Sequence, residues 1–170
     1  KAHIKTVMLT GDNKNTAYTI AKSVGLIKSD NDLIITGEEL NRINDEELKK
    51  IIPNLKVVAR MLPHDKSRLV KVCQELDYVV GMTGDGVNDA PALKLADVGF
   101  SMGSGTEVAK EASDIVILDN NFLSISKAIL YGRTIFKSIR KFIILQLTIN
   151  LCALGVSLIG PFIGIKTPVT

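Results

Sequence analysis

Cysteine is scarce: only two occur in 170 residues. Cys73 falls in a segment read as a helix and Cys152 in an apolar run, so neither a disulfide framework nor a zinc set can be assembled from them. Strong charge of one sign is also missing. A net charge of +3, with acids and bases alternating through most of the length, excludes the basic footprint of a nucleic-acid binder. Internal repeats and low-complexity tracts are absent, and the one long apolar stretch sits at the wrong end to be a secretory signal. That stretch, Phe142 to Ile165, lacks charge altogether. It is long enough to cross a hydrocarbon core of ~30 Å as a helix.

What is present therefore divides into a mixed polar and apolar part and a membrane part. Arg133, Lys137, Arg140 and Lys141 cluster just before the apolar run. Positive charge flanking a span marks its cytoplasmic side, so residues 1–141 are expected to be cytoplasmic. Gly160-Pro161 would end a soluble helix but is tolerated in a membrane one. The polar members Gln146, Thr148, Asn150 and Ser157 need partners in an apolar medium, so the span is expected to pack against other helices.

Up to Asn121, apolar runs of strand length alternate with helical patterns, the signature of an α/β fold with a parallel sheet covered by helices. Strands are expected at Ile4–Leu9, Leu33–Thr36, Val57–Arg60, Tyr78–Met82, Val98–Phe100 and Ile115–Leu118. Helices are expected over Asn13–Val24, Glu38–Ile43, Asp45–Ile52, Asp65–Leu76, Asn88–Leu95 and Glu107–Ala112. A helical pattern from Phe122 to Lys141 runs on into the span with no Gly or Pro cluster between. The expected organisation is 1–121 as the α/β part, 122–141 as a stalk helix and 142–165 as a transmembrane helix. The chain opens on a strand and closes just after a span, so it is expected to be a piece of a longer protein.

In such a sheet, ligands bind outside the carboxyl ends of the strands. Thr83-Gly84-Asp85-Gly86-Val87-Asn88-Asp89 follows an apolar run and packs two acids and an amide between glycines. Asp85 is placed to hold Mg²⁺, which needs only one or two carboxylates beside a substrate phosphate. Asn88 can touch a phosphate oxygen, and Asp89 can orient it or a lysine. The glycines allow unusual backbone angles and close approach. The competing interpretation is a turn capping the next helix through Asn88 or Asp89. Thr10-Gly11-Asp12 offers a hydroxyl and N–H groups to a phosphoryl oxygen, although it is also ordinary turn chemistry. Arg60 and Lys66 flank Pro63 at a third strand end, where a lysine can neutralise a transferring phosphate or simply stand in solvent.

Met82 to Lys94 resembles the hinge signature of P-type cation-transporting ATPases, members of the haloacid dehalogenase superfamily. Met8 to Asn13 and Arg60 to Lys66 are similar to two further motifs of that family, and Ala96 to Gly103 with Ala112-Ser113-Asp114 continue the match. The resemblance implies a haloacid dehalogenase-like Rossmannoid sheet, with 1–121 as the C-terminal part of the phosphorylation domain and the span as the fifth transmembrane helix. By the same resemblance, Mg²⁺ and ATP are implied as cofactors. Asp85 would be a Mg²⁺ ligand and Asp89 would support the metal or the lysine. Lys66 would contact the phosphoryl group, and Thr10 and Gly11 would hold phosphate oxygens. Asp12 would act on ribose or domain closure, Asn88 on phosphate and Arg60 toward the nucleotide. The family's nucleophile sits in an Asp-Lys-Thr-Gly-Thr string that occurs nowhere in this sequence. The piece alone is thus expected not to form the phosphoenzyme.

Gln146 to Asn150 resembles the ion-coordinating helix of calcium pumps, which implies Asn150 as a ligand for a transported cation, Ca²⁺ by this likeness. Hydrogen bonding between helices is the other use of a buried amide. Ala153 stands where pumps of the sarcoplasmic reticulum kind have a glutamate, which fits the plasma-membrane kind. The implied partners are ATP, the cation, the remaining domains and helices of the same pump, and membrane lipid. Two rivals stay open: a membrane-anchored phosphatase of the same superfamily, and a non-catalytic module that binds Mg²⁺ or a partner.

Overall fold

Strands alternate with helices in the first of two units, with two helices in succession between the second and third strands; the units are divided between Asn121 and Phe122. The computed structural model describes residues 4–160. In chain order the first unit contains β1 (Met8–Leu9), α1 (Lys14–Ser23), β2 (Leu33–Thr36), α2 (Gly37–Arg42), α3 (Asp45–Ile51) and β3 (Leu55–Ala59). It continues with α4 (Pro63–Glu75), β4 (Gly81–Gly84), α5 (Ala90–Leu95), β5 (Val98–Met102), α6 (Glu107–Ala112) and β6 (Ile115–Ile117). The second unit is built on α7 (Phe122–Ile159).

The strands form two three-stranded sheets, ordered β1-β3-β2 and β4-β5-β6, and every pairing is parallel. β1 and β4 are therefore edge strands, paired on one side only among the described residues. Central β3 is buried at every position but Lys56, as a strand with both faces covered must be. Ala17 and Ala21, one turn apart on α1, bury their small side chains against Val57 and Ala59 of β3. The opposite face meets Leu40, Leu48, Leu69 and Val72 from α2, α3 and α4. Met82 of β4 packs with Val70, Leu93 and Ala109, and Leu9 of β1 joins that cluster.

Several helix starts follow from short polar side chains. Asn13 accepts from Thr16 N at 2.9 Å, and Thr36 and Asn44 each close a reciprocal cap with Glu39 and Glu47. α4 starts earlier than the pattern suggests because Pro63 occupies its first turn, where the missing N–H costs nothing.

Two expectations need correcting. β1 is only the Met8–Leu9 pair, not Ile4–Leu9. β4 is Gly81–Gly84, shifted toward the glycine-rich motif from the expected Tyr78–Met82. Asp77 turns the chain at φ +59°, Val79 is 86% exposed, and the Asp97 carboxylate takes the Val80 N–H at 2.7 Å before the ladder is established. The apolar run is therefore approach, and the first half of the motif is strand.

In the second unit α7 is one continuous helix of 38 residues, long and apolar enough to cross a membrane. Its length is about 57 Å at the usual rise, well beyond a ~30 Å core, so several turns extend past the apolar part. The remainder of the expected span, from Pro161 to Ile165, lies outside the described residues.

Candidate functional site

Parallel pairing puts the loops after β1, β3, β4 and β5 at strand carboxyl ends. The β1 loop is tied to the segment after β3: Arg60 N donates to Asp12 O at 2.9 Å and Met61 N to Thr10 O at 3.1 Å. Within it, the Thr10 hydroxyl donates to Asp12 Oδ2 at 3.0 Å and accepts the Asp12 N–H at 3.1 Å. Arg60 turns away from β3 in the left-handed region, φ +51°, and its side chain is exposed. With Asn13, Lys14, Asn15 and Thr36 it lines a shallow polar concavity. Gly11 has open space where a Cβ would stand.

The second grouping centres on Asp89. Lys66, in the first turns of α4, forms a short ion pair with Asp89 Oδ1, both side chains being mostly buried. The other carboxylate oxygen accepts from Asp85 N and Gly86 N, each at 3.3 Å. One side chain thus holds the lysine and the motif's backbone together. Gly84 makes this possible, since a Cβ there would lie 2.4 Å from Asp89 Cβ and 2.9 Å from Oδ2. Gly86 is different: at φ −105° with only ordinary contacts for an added Cβ, it needs neither an unusual angle nor close packing. Asp89 also does not cap α5 with its side chain. Asp85 is exposed, its carboxylate without a protein partner among the described residues, and Asn88 is exposed beside it.

The β3–α4 segment joins the two groupings. Thr10 and Asp12 are bonded to Arg60 and Met61, and Lys66 a few residues on is bonded to Asp89. No direct bond links Thr10 to Lys66 or Asp85 among the described residues. Asn150 lies in the other unit, on α7, where its Oδ1 accepts from Gln146 Nε2 at 3.4 Å. Thr148 is satisfied within the helix by Ile144 O at 2.8 Å.

Sequence reasoning passed over Asp65, which is fully buried next to Lys66. Its carboxylate accepts from Leu62 N at 2.8 Å and Asn41 Nδ2 at 2.9 Å, and lies 3.0 Å from His64 Nε2. Gly37 yields room for it, because a Cβ there would be 3.0 Å from Asp65 Oδ2. Its capping bond had a signal in the sequence, an acid three residues after the helix-preceding position, but its burial had none.

The donor chemistry suits Mg²⁺. Among the described residues no three His, Cys, Asp or Glu side chains cluster into a cage. A hard, reluctantly dehydrated cation that keeps waters and shares a phosphate needs no cage, only an accessible carboxylate such as Asp85.

Comparison with known proteins gives the family and the fold. A family model described as haloacid dehalogenase-like hydrolase matches residues 1–97. Calcium-transporting ATPase 1 of Lactococcus lactis is 44% identical over 170 residues, covering 100% of this chain and 19% of that protein. Plasma membrane calcium-transporting ATPase 3 of Homo sapiens is 48% identical over 183 residues, covering 99% of this chain and 15% of its own length. Among solved structures, a zinc-transporting PIB-type ATPase in the E2.Pi state matches 95% of this chain and 21% of its own, with a TM-score of 0.65 and 30% identity. The chain thus spans 15–21% of the length of these relatives. With more than half its residues inside the matched model, it belongs to the haloacid dehalogenase-like hydrolases, and it is homologous to the calcium-transporting P-type ATPases.

Proposed function

We propose that this chain is the phosphate- and metal-handling part of an ATP-driven cation pump, with Ca²⁺ as the transported ion. The observation that carries this reading is the Asp89 bridge, which holds the Lys66 ammonium and the Asp85 backbone in one bonded group. Lys66 then supplies a fixed cation for charge developing on a transferring phosphoryl group. Mg²⁺, when bound at Asp85, supplies Lewis-acid stabilisation of the same oxygens. Thr10 and Gly11 orient phosphate oxygens through the hydroxyl and main-chain N–H groups, and Asn88 donates to another. Arg60 and Asp12 face the nucleotide, which is ATP in this reading.

The nucleophile is an aspartate contributed by a segment outside these residues. The single-sided pairing of β1 and β4, which carry two of the motif loops at their ends, leaves edges that such a segment could join. Alone, the chain forms no phosphoenzyme. Residues 1–141 lie on the cytoplasmic side and 142–165 in a membrane with the pump's other helices. Asn150 contributes its amide oxygen to the cation, the ligand type Ca²⁺ accepts.

ATP-driven Ca²⁺ uptake into vesicles containing the full-length protein tests this. Lys66→Met is expected to lower phosphoenzyme formation by about 100-fold or more, the usual scale for losing a preorganised electrostatic group. Asn150→Ala is expected to abolish Ca²⁺ uptake and Ca²⁺ activation of ATP hydrolysis. Full hydrolysis that never depended on Ca²⁺ or on Asn150 would favour an anchored phosphatase instead.

A further inference from the structure

Asp85 is held at both ends of its peptide. Its N–H is fixed by Asp89, and its carbonyl accepts from Thr106 N at 2.8 Å. Thr106 belongs to the loop between β5 and α6, remote in sequence and without any role in the site as described above. That loop is itself anchored. Gly103 N donates to Ile117 O at 2.8 Å and Ser104 N to Asn120 Oδ1 at 2.8 Å, which pins its start to the end of β6. Its end is the first turn of α6, where Thr106 Oγ1 accepts from Ala109 N at 3.3 Å. Between these anchors Gly105 lies flat against the motif: a Cβ there would stand 3.1 Å from Asp85 O, 3.2 Å from Asp85 Cα and 3.0 Å from Met102 O. Such distances force a neighbour to give way, and here the neighbours are main chain.

We infer that Gly105 and the main-chain N–H of Thr106 are positioning residues for the Asp85 carboxylate. The loop after β5 fixes where Asp85 presents its oxygens to a metal ion, without touching that ion. An exposed carboxylate with no protein partner would otherwise be placed only by its own rotamers. With its peptide clamped by Asp89 on one side and Thr106 on the other, only the side-chain torsions remain free. Groups that orient a metal ligand in this way are commonly worth about 10–100-fold in metal affinity. The inference rests on the reading of Asp85 as a metal ligand.

The test uses the full-length protein and Mn²⁺ as the probe, with free Mn²⁺ read by electron paramagnetic resonance in the absence of turnover. Thr106 has φ −65°, so proline fits that torsion and deletes the N–H together with the hydroxyl. Thr106→Ala and Thr106→Pro lose the same hydroxyl cap, and the difference between them isolates the bond to Asp85. Asp85→Asn defines the Mn²⁺ sites that depend on this carboxylate. For those sites Thr106→Pro is expected to weaken binding about 10-fold relative to Thr106→Ala, and Gly105→Ala to weaken it about as much relative to the unaltered protein. Equal affinities for the two Thr106 variants, with Asp85→Asn still abolishing binding, would overturn the inference. If Thr106→Pro does not fold, unchanged Mn²⁺ affinity in folded Gly105→Ala overturns it equally. Unchanged binding in Asp85→Asn would instead overturn the reading of Asp85 on which it rests.

Discussion

At the scale of single residues, the site depends on carboxylates whose oxygens are shared between a side chain and main-chain N–H groups. Asp89 gives one oxygen to Lys66 and the other to Asp85 and Gly86. Gly84→Ala would drive a methyl into Asp89 and is expected to destabilise the fold by about 1–3 kcal/mol, the usual cost of overpacking. The measurement is a denaturant midpoint, with Gly11→Ala, which meets open space, as the comparison. Asp65→Ala would take the acceptor from the Leu62 N–H and the Asn41 amide and leave a void where Asp65 is fully buried, at an expected cost of about 1–3 kcal/mol. Asp65→Asn keeps one acceptor oxygen and should recover part of that loss. Lys66, Asp85 and Asp89 could be singled out in the sequence by their place at strand ends, where solvent, turn and cap readings competed with a site; the bond that joins Lys66 to Asp89 came only from the fold. Asp65 could not be singled out, since an acid in a helix's first turn is ordinarily a surface residue. Only the fold shows it sealed beneath α2.

Among the elements, α1 and α2 are linked by Glu39, which caps α2 and pairs with Lys14. The Thr36 N–H, and after it the Lys14 ammonium, hold the Glu39 carboxyl below its ordinary value. A depressed carboxyl stabilises the fold fully above the unfolded-state value and loses that contribution as pH falls through the folded one. The melting-temperature gap between the unaltered protein and Glu39→Gln should therefore be widest near neutrality and shrink as pH drops below the usual glutamate range. A gap that stayed constant to acid pH would remove the ion from the account. Helix and strand identities were readable from periodicity and caps, and Leu33–Thr36 and Glu107–Ala112 match their expected bounds residue for residue. β4 was displaced because Tyr78 closes the end of α4 through Cys73 O, Val79 is exposed, and the Val80 N–H goes to the Asp97 carboxylate, so the strand propensity of the run does not become ladder. Tertiary pairing chose the glycines instead: Thr83 lies opposite Phe100 and Gly84 opposite Ser101. For α7, continuity from Phe122 to Ile159 favours a rigid stalk. On the proposed pump reading, inserting Gly-Gly near Arg133 in the full-length protein is expected to lower ions transported per ATP while leaving phosphorylation intact. Undiminished coupling would dispose of the stalk as a lever.

On the scale of the whole molecule, β1 and β4 each end a sheet with one side unpaired among the described residues, while the motif loops beside them are bonded through the β3–α4 segment. On the proposed reading, that arrangement is a phosphate- and metal-handling surface to which the nucleophile is added from another segment. The alternation of strands and helices announced the fold, whereas the division into two sheets could not be read from it, because pairing is a property of register and neighbours. The account's central claim is that these residues handle the metal and phosphate while an aspartate elsewhere is phosphorylated. The direct measurement is to label the full-length protein with radioactive ATP in the presence of Mg²⁺ and Ca²⁺ and locate the label by peptide mapping. The account predicts a hydroxylamine-sensitive aspartyl phosphate outside the 170 residues, lost in Lys66→Met. A phosphoryl group mapped to any residue within them would contradict it.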